Sequence, residues 1–360
     1  MNASTQQSTD TIVDEYKADR IKGLINNQKI VQICCGDSHS AALTDDGEVY
    51  IWGTFRNANG NIGLLKENCT ERFPVHLKFP FTNDKPTIIK ITSGNNHLCC
   101  LSSDGRIFTC GNWEQGQLGR NCEDEFQKAE EFTDESYVSE ESSEEKTYFQ
   151  KCLDMYLKPI AIEISNFIKF DDCWTGSYCT FARTKKTKEI FACGLNNYYQ
   201  LNIDPKGNDR TKNENLIIKE FTQWKGIPLK KEIRNLVGDI HVSSIASGEH
   251  HSLIACNNGS LFSVGNHNYG RLGLGNINQD VIQLELNPVF NYFENKIKKI
   301  STSASAVLAI SNDNKLYGWG MADCHQITFK NDTYTPSLIQ TGGDVIDCAV
   351  GAQHSLFIVK

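Results

Sequence analysis

The sequence predicts an all-β fold of the β-propeller type, in which similar four-stranded blades follow one another around an axis. Three observations lead there. A short G-x-x-H-like element recurs as GDSH (36–39), GNNH (94–97), GSYC (176–179), GEHH (248–251), SASA (303–306) and GAQH (351–354). In the first five copies a second apolar run ends in glycine, at Gly53, Gly111, Gly194, Gly265 and Gly320. The spacing from the first residue of the element to that glycine is 17 in four copies and 18 in the third, which has an extra residue in its basic turn TKKTKE. Between these marks apolar residues rich in Val, Ile, Phe and Tyr alternate or cluster over short runs, punctuated by Gly, Asn and Asp. That is strand–turn–strand chemistry rather than the 3.6-residue period of a helix.

Taken along the chain, residues 1–27 carry Ile12, Tyr16, Arg20 and Leu24 at helical spacing and no strand-ending glycine. A helical or disordered segment is expected there, with the propeller occupying 28–360. Successive units start 58, 82, 72, 55 and 48 residues apart. The long second interval falls to 57 when the 25 residues 122–146 are set aside. That stretch holds eleven acids against two lysines and reads as a disordered acidic insertion between blades. A polar, Asn- and Lys-rich loop at 204–219 accounts for the third interval. What remains is the length that a four-stranded antiparallel blade needs. The last unit, VIDCAVGAQHSLFIVK, ends after its second strand, so about five full blades and a terminal half-blade are expected.

Composition excludes several functions. The 360 residues contain no apolar run near the ~18 needed for a membrane helix, and 1–27 has no signal-peptide core. None of the 14 cysteines forms a C-x-x-C pair, and Cys34, Cys35, Cys99, Cys100 and Cys193 fall within apolar runs. Buried free thiols are therefore expected. The net charge of −8 is concentrated in 122–146, which carries −9 and leaves +1 for everything else. There is no basic surface to neutralise phosphates, so neither direct nucleic-acid binding nor a membrane partner is expected. No metal-ligand cluster, nucleophile or acid–base pair stands out, and no cofactor is expected. The G-x-L-G turns lack the lysine and helix of a phosphate-binding loop.

A residue repeated at one position of every unit is read as scaffold. His39, His97, His251 and His354 are of that kind, and a strand-entry hydrogen bond is expected of them. The two positions before them vary: Asp37-Ser38, Asn95-Asn96, Ser177-Tyr178, Glu249-His250 and Ala352-Gln353. They share one rim and so form a candidate partner-binding face. The sharper irregularity is WGTFRNANGNIGLL (52–65). Counted from the strand-end glycine, the G-x-L-G element closes eight residues on at Gly119 and Gly273, with Asn202 and Thr328 at the same offset, but ten residues on at Gly63. The extra length falls among Arg56, Asn57, Asn59, Gly60 and Asn61, residue types that favour tight hairpins, so a projecting hairpin is predicted.

The G-x-x-H, W-G and G-Q-L-G pattern over about residues 28–360 resembles the repeat of the regulator of chromosome condensation family, which folds as a seven-bladed propeller. By that count about two N-terminal repeats are absent. Members that act as the exchange factor for the small GTPase Ran carry a protruding hairpin, the β-wedge, with a pattern close to W-G-S-F-R-x-x-x-G-x-I-G-L-L. The chain matches it at Trp52, Gly53, Phe55, Arg56, Gly60, Ile62, Gly63, Leu64 and Leu65. The resemblance implies a GTPase-binding wedge of Phe55, Arg56, Asn57, Asn59, Gly60 and Asn61, and GTPase-binding positions at Asp37, Asn96 and His250 on the propeller face. Asn96 stands where the family has aspartate and lacks its charge. The implied function is guanine nucleotide exchange on Ran without covalent chemistry, in the nucleus. Chromatin or histones are implied as further partners, although residues 1–20 hold only Lys17 and Arg20 against four acids. The alternative is a non-catalytic propeller scaffold that binds another protein.

Overall fold

The structure, a computed structural model, describes residues 28–80, 84–120, 155–162, 164, 167–204 and 216–360. The expected segment 1–27, the acidic stretch 122–146 and residues 205–215 lie outside them. Among the described residues strands dominate, in five four-stranded antiparallel sheets and two of two strands. Blade 1 is β1 (Ile30–Cys35), β2 (His39–Thr44), β3 (Val49–Gly53) and β6 (Glu71–His76), with a separate two-stranded hairpin, β4 (Phe55–Asn57) and β5 (Gly60–Gly63), between β3 and β6. Blade 2 is β7 (Ile88–Ser93), β8 (His97–Ser102), β9 (Ile107–Gly111) and β10 (Ile160–Ala161). Blade 3 is β11 (Phe170–Gly176), β12 (Cys179–Thr184), β13 (Ile190–Leu195) and β14 (Ile217–Gln223). Blade 4 is β15 (Val242–Ser247), β16 (His251–Cys256), β17 (Leu261–Gly265) and β18 (Val281–Leu286). Blade 5 is β19 (Ile297–Thr302), β20 (Ala306–Ser311), β21 (Leu316–Gly320) and β22 (Thr333–Ile339). The half-blade pairs β23 (Val345–Val350) with β24 (Ser355–Val359). Among the described residues no helix is long and apolar enough to cross a membrane.

Except in the two-stranded last unit, where β24 is largely exposed, the continuous apolar runs that follow the G-x-x-H elements are strands buried on both faces: every residue of β8, β16 and β20 is buried. Their side chains fill layers between successive blades rather than one central core. Ile51 and Leu77 of blade 1 pack with Ile91, Leu98 and Phe108 of blade 2, and Phe181 and Ile190 of blade 3 pack with Ile254 and Phe262 of blade 4. Cys99, Cys100 and Cys193 are buried free thiols, but Cys34 is only half-buried and Cys35 is exposed, because β1 alternates outward and inward residues.

The acidic insertion is not between blades. It enters after β9 and returns before β10, so it interrupts blade 2, and residues 205–215 likewise lie between β13 and β14. The repeated motif spans only the first three strands of each blade, so nothing in it marks the fourth strand, which lies beyond the gap. Part of the expected polar loop, 217–219, is the start of β14.

The constant spacing has a physical cause at the rim. His39 pairs across the sheet with Gly53, His97 with Gly111, His251 with Gly265 and Ala306 with Gly320. The residue after each glycine donates its N–H to the residue before the histidine position: Thr54 to the Ser38 carbonyl (2.8 Å), Asn112 to Asn96 (2.7 Å), Asn266 to His250 (2.8 Å) and Met321 to Ser305 (3.0 Å). These glycines have φ near +100 to +120°, and a Cβ on Gly53 would run into the Ser38 carbonyl. The first glycine of the motif serves the histidine. At Gly36, Gly94, Gly248 and Gly351 a Cβ would overlap the imidazole three residues on.

The rings then reach the next blade. Nε2 of His39 hydrogen-bonds Ser93 Oγ at 3.1 Å, that of His97 bonds Thr180 Oγ1 at 3.0 Å and that of His251 bonds Thr302 Oγ1 at 3.0 Å. A backbone relay runs alongside: Asp37 N–H to the Asn95 carbonyl (2.7 Å) and Asn95 N–H to the Ser177 carbonyl (3.1 Å). The recurring histidines therefore stitch blade to blade. Burial pushes the pKa of His39 down to about 4 and those of His97 and His251 to about 3. In the unfolded chain the same groups protonate near 6.5. Between those values the unfolded state binds more protons, so stability falls as pH drops from 7 towards 4. Denaturant midpoints are expected to fall between pH 7 and pH 5, each imidazole contributing on the order of 1–2 kcal/mol. A His97→Gln variant, less stable at pH 7, should show a shallower pH slope.

Candidate functional site

The ten-residue interval after Gly53 folds as predicted into a hairpin, with Phe55 opposite Gly63, Arg56 opposite Asn61 and Asn57 opposite Gly60. Its turn is tightened by the Asn59 N–H, which donates to Asn57 Oδ1 at 2.9 Å, and Gly60 takes φ +122°. Arg56, Asn59 and Asn61 are exposed, and Asn57 and Gly60 are half-buried. Phe55 departs from the expectation that it faces a partner. It is 0% exposed, its ring centroid 4.6 Å from that of His39, and a Cβ on Gly111 would touch its edge. As the first residue of the hairpin it points into the layer between blades 1 and 2, beside Leu98 and Cys110, so it is the root of the hairpin and not its contact surface. Ile62 and Leu64 are buried in the same layer.

Polar side chains of blade 2 hold the outer part. The Arg56 N–H donates to Asn96 Oδ1 (2.9 Å), and Asn112 Nδ2 donates to the Arg56 carbonyl (2.9 Å). Asn57 Nδ2 donates to Glu114 Oε1 (3.2 Å). Asn96 turns its other end to blade 1, where Nδ2 donates to Asp37 Oδ2 at 3.2 Å. Three of the residues named from the sequence, Asp37, Asn96 and Arg56, are thus joined in one chain of hydrogen bonds. Asn112 and Glu114 were missed. The signal for Asn112 was present, since it follows the strand-end glycine at a position that reads Thr, Asn, Leu, Asn and Met in the five units.

Between the hairpin and the rims of blades 2 and 3 lies an open cavity of about 480 Å³, lined by Asp37, Arg56, Asn57, Asn96, Asn112, Glu114 and Tyr178 among others. Burial of the carboxyl, helped by Glu249, raises the pKa of Asp37, while the Asn96 hydrogen bond and Arg56 oppose the rise. Burial, again with Glu249, raises that of Tyr178. Both residues thus feel Glu249 from blade 4. His250, the remaining predicted position, does not join the hydrogen-bonded chain. It sits next to Glu249 on the same rim, edge-on to Tyr198 with ring centroids 4.9 Å apart. Its Nδ1 is buried without a hydrogen-bond partner, and burial lowers its pKa. Among the described residues no group of three or more His, Cys, Asp or Glu side chains could hold a metal ion. The face offers hydrogen bonds, a cation and three carboxylates, Asp37, Glu114 and Glu249, around the hairpin, which suits recognition of a protein surface.

Comparison with known proteins identifies the family. A family model described as the RCC1-like domain matches residues 3–357. The chain is similar to the "Regulator of chromosome condensation" of Drosophila melanogaster, 32% identical over 338 residues, covering 92% of the chain and 53% of that protein. It is also similar to the "Guanine nucleotide exchange factor SRM1" of Saccharomyces cerevisiae, 26% identical over 350 residues, covering 92% of the chain and 63% of that protein. The chain therefore spans between half and two thirds of these relatives. Among solved structures it superposes on Prp20p from Saccharomyces cerevisiae with a TM-score of 0.71 at 23% identity, covering 92% of the chain and 68% of that structure. That structure was described together with binding properties to Gsp1p and histones.

The burial of Phe55 leads to a direct expectation. Phe55→Ala should lower stability by about 3–5 kcal/mol through the cavity it opens, whereas Asn59→Ala at the exposed tip should stay within ~0.5 kcal/mol. Denaturant unfolding followed by intrinsic fluorescence measures both.

Proposed function

Because the chain belongs to the RCC1-like domain family, we propose that it is a guanine nucleotide exchange factor for a Ran-type small GTPase, with the hairpin 55–63 as its working element. The observation that carries this reading is the hairpin itself. It is the one departure from an otherwise uniform turn after the third strand, its residues match the exchange-factor pattern, and it stands beside Asp37 and Asn96 over a cavity about 480 Å³ in volume. The name of the yeast relative supports the same activity.

The mechanism requires no covalent step. Arg56 to Asn61 would enter the phosphate-binding region of the GTPase, while Asp37 and His250 hold its surface. A factor that binds the nucleotide-free GTPase more tightly than the loaded form lowers nucleotide affinity by the same ratio, because the two equilibria are linked. GDP leaves, and whichever nucleotide is in excess rebinds. The carboxylates of Asp37 and Glu249 on the rim favour a cationic partner surface, and Asn96, neutral where the family carries a charge, shifts that balance from Coulomb attraction towards hydrogen bonding. The relatives' name, regulator of chromosome condensation, and the histone binding described for Prp20p support extending the reading to a nuclear location and to chromatin or histones as further partners.

The test is release of labelled GDP from Ran. Deletion of residues 57–61 should reduce the acceleration on the order of 10–100-fold while the unfolding midpoint stays close to that of the intact protein. Unchanged release by the deletion variant would reject the wedge role. In a pull-down, an exchange factor retains the GTPase preferentially after EDTA has stripped its nucleotide. Equal retention of loaded and stripped forms without faster release would favour the scaffold reading.

A further inference from the structure

We propose that Asn96 and Asn112 are positioning residues that hold the hairpin against blade 2 and, through Asn96, tie its pose to the Asp37 carboxylate. The functional consequence rests on the exchange reading above; the positioning itself does not.

A hairpin of three and four residues is marginal in water by itself, so its pose must come from outside. Phe55 anchors the root, but beyond it the backbone projects from the sheet. Both peptide groups of the next residue are held from blade 2: the Arg56 N–H by Asn96 Oδ1 and the Arg56 carbonyl by Asn112 Nδ2, each at 2.9 Å. Asn112 is buried and itself held, because its Oδ1 accepts the Glu114 N–H (2.8 Å) and Gln117 Nε2 (3.3 Å). The clamp therefore stands on a rigid turn. Asn96 has a second task, since its Nδ2 donates to Asp37 Oδ2 on blade 1 at 3.2 Å.

A neutral amide can do both. A carboxylate at position 96 could accept the Arg56 N–H, but it could not donate to Asp37 and would place two negative charges side by side. An aliphatic residue could do neither. The loss of charge at this position is thus matched by a gained joint: a cation engaged by Asp37 and the pose of Arg56 share one side chain.

Backbone amide hydrogen exchange of Arg56, referenced to core amides of β8 in the same sample, reads the clamp directly. Asn96→Leu and Asn112→Ala should each speed Arg56 exchange at least ~10-fold relative to β8, and Asn96→Asp, which keeps the acceptor, should restore it to within ~3-fold of the unmodified protein. In GDP release from Ran, Asn112→Ala should lower the maximal rate ~10-fold while affinity for the stripped GTPase changes less than ~3-fold, because the contact surface is intact but misplaced. Arg56 exchange that is unchanged by Asn96→Leu, or not restored by Asn96→Asp, overturns the proposal. So does a loss of affinity at full maximal rate in Asn112→Ala, which would make that asparagine a contact residue. Failure of the unmodified protein to release GDP would reject the exchange reading instead, and the Arg56 amide would still decide the clamp.

Discussion

A histidine ring lying where a glycine has no side chain, with its Nε2 on a hydroxyl of the next blade, sets the relation between neighbouring blades. The apolar layers hold the blades together but have no direction of their own; they would tolerate small sliding and tilting. The His39–Ser93, His97–Thr180 and His251–Thr302 bonds, with the backbone relay through Asp37, Asn95 and Ser177, remove that freedom at one rim. The same element sets the height of the third strand, because the residue after each strand-end glycine bonds back to it. Where cysteine replaces the histidine the link changes form, with Cys179 Sγ 3.4 Å from Ser247 Oγ, and where Ala306 replaces it no side-chain link is made.

The candidate site depends on this stitching because no single blade contains it. The hairpin grows from blade 1, its root phenylalanine is buried between blades 1 and 2, and its backbone is gripped by asparagines of blade 2. Asp37 reaches the same asparagine from the other side. A shift of blade 2 by an ångström would break both 2.9 Å bonds to Arg56 and alter the hairpin's angle. Rigidity of the rim is thereby converted into a fixed presentation of the hairpin, which is what a wedge requires if binding energy is to displace a nucleotide and not merely bend the wedge.

A long connection, 224–241 with its short helix Lys231–Val237, joins blades 3 and 4, but much of the length variation enters between the third and fourth strands. The hairpin in blade 1, the acidic stretch in blade 2 and residues 205–215 in blade 3 share that position. The first three strands are joined by short turns whose pairing partners are set on both sides. The fourth is an outer strand paired only with the third, so extra residues before it add mainly loop-closure entropy, which rises slowly with length.

Much of this was legible in the sequence. The G-x-x-H spacing, the strand-end glycines and the single ten-residue interval follow from local backbone requirements, and a positive φ or a close ring–backbone approach leaves a mark at a fixed position. The strands, the all-β propeller architecture and the existence of the hairpin were therefore determined by the sequence itself. What it could not show was which surface each residue meets. Phe55 reads as part of a projecting motif, yet it is buried, because burial depends on the neighbouring blade rather than on Phe55's own strand. Asn96 reads as a lost charge, yet it bridges two blades through both ends of its amide. Asn112 and Glu114 read as ordinary turn residues, and the fourth strand of blade 2 lay hidden beyond an insertion. Each of these rests on contacts between segments some 40–60 residues apart. Spacing within one unit cannot encode such contacts; only the packing of one blade against the next decides them.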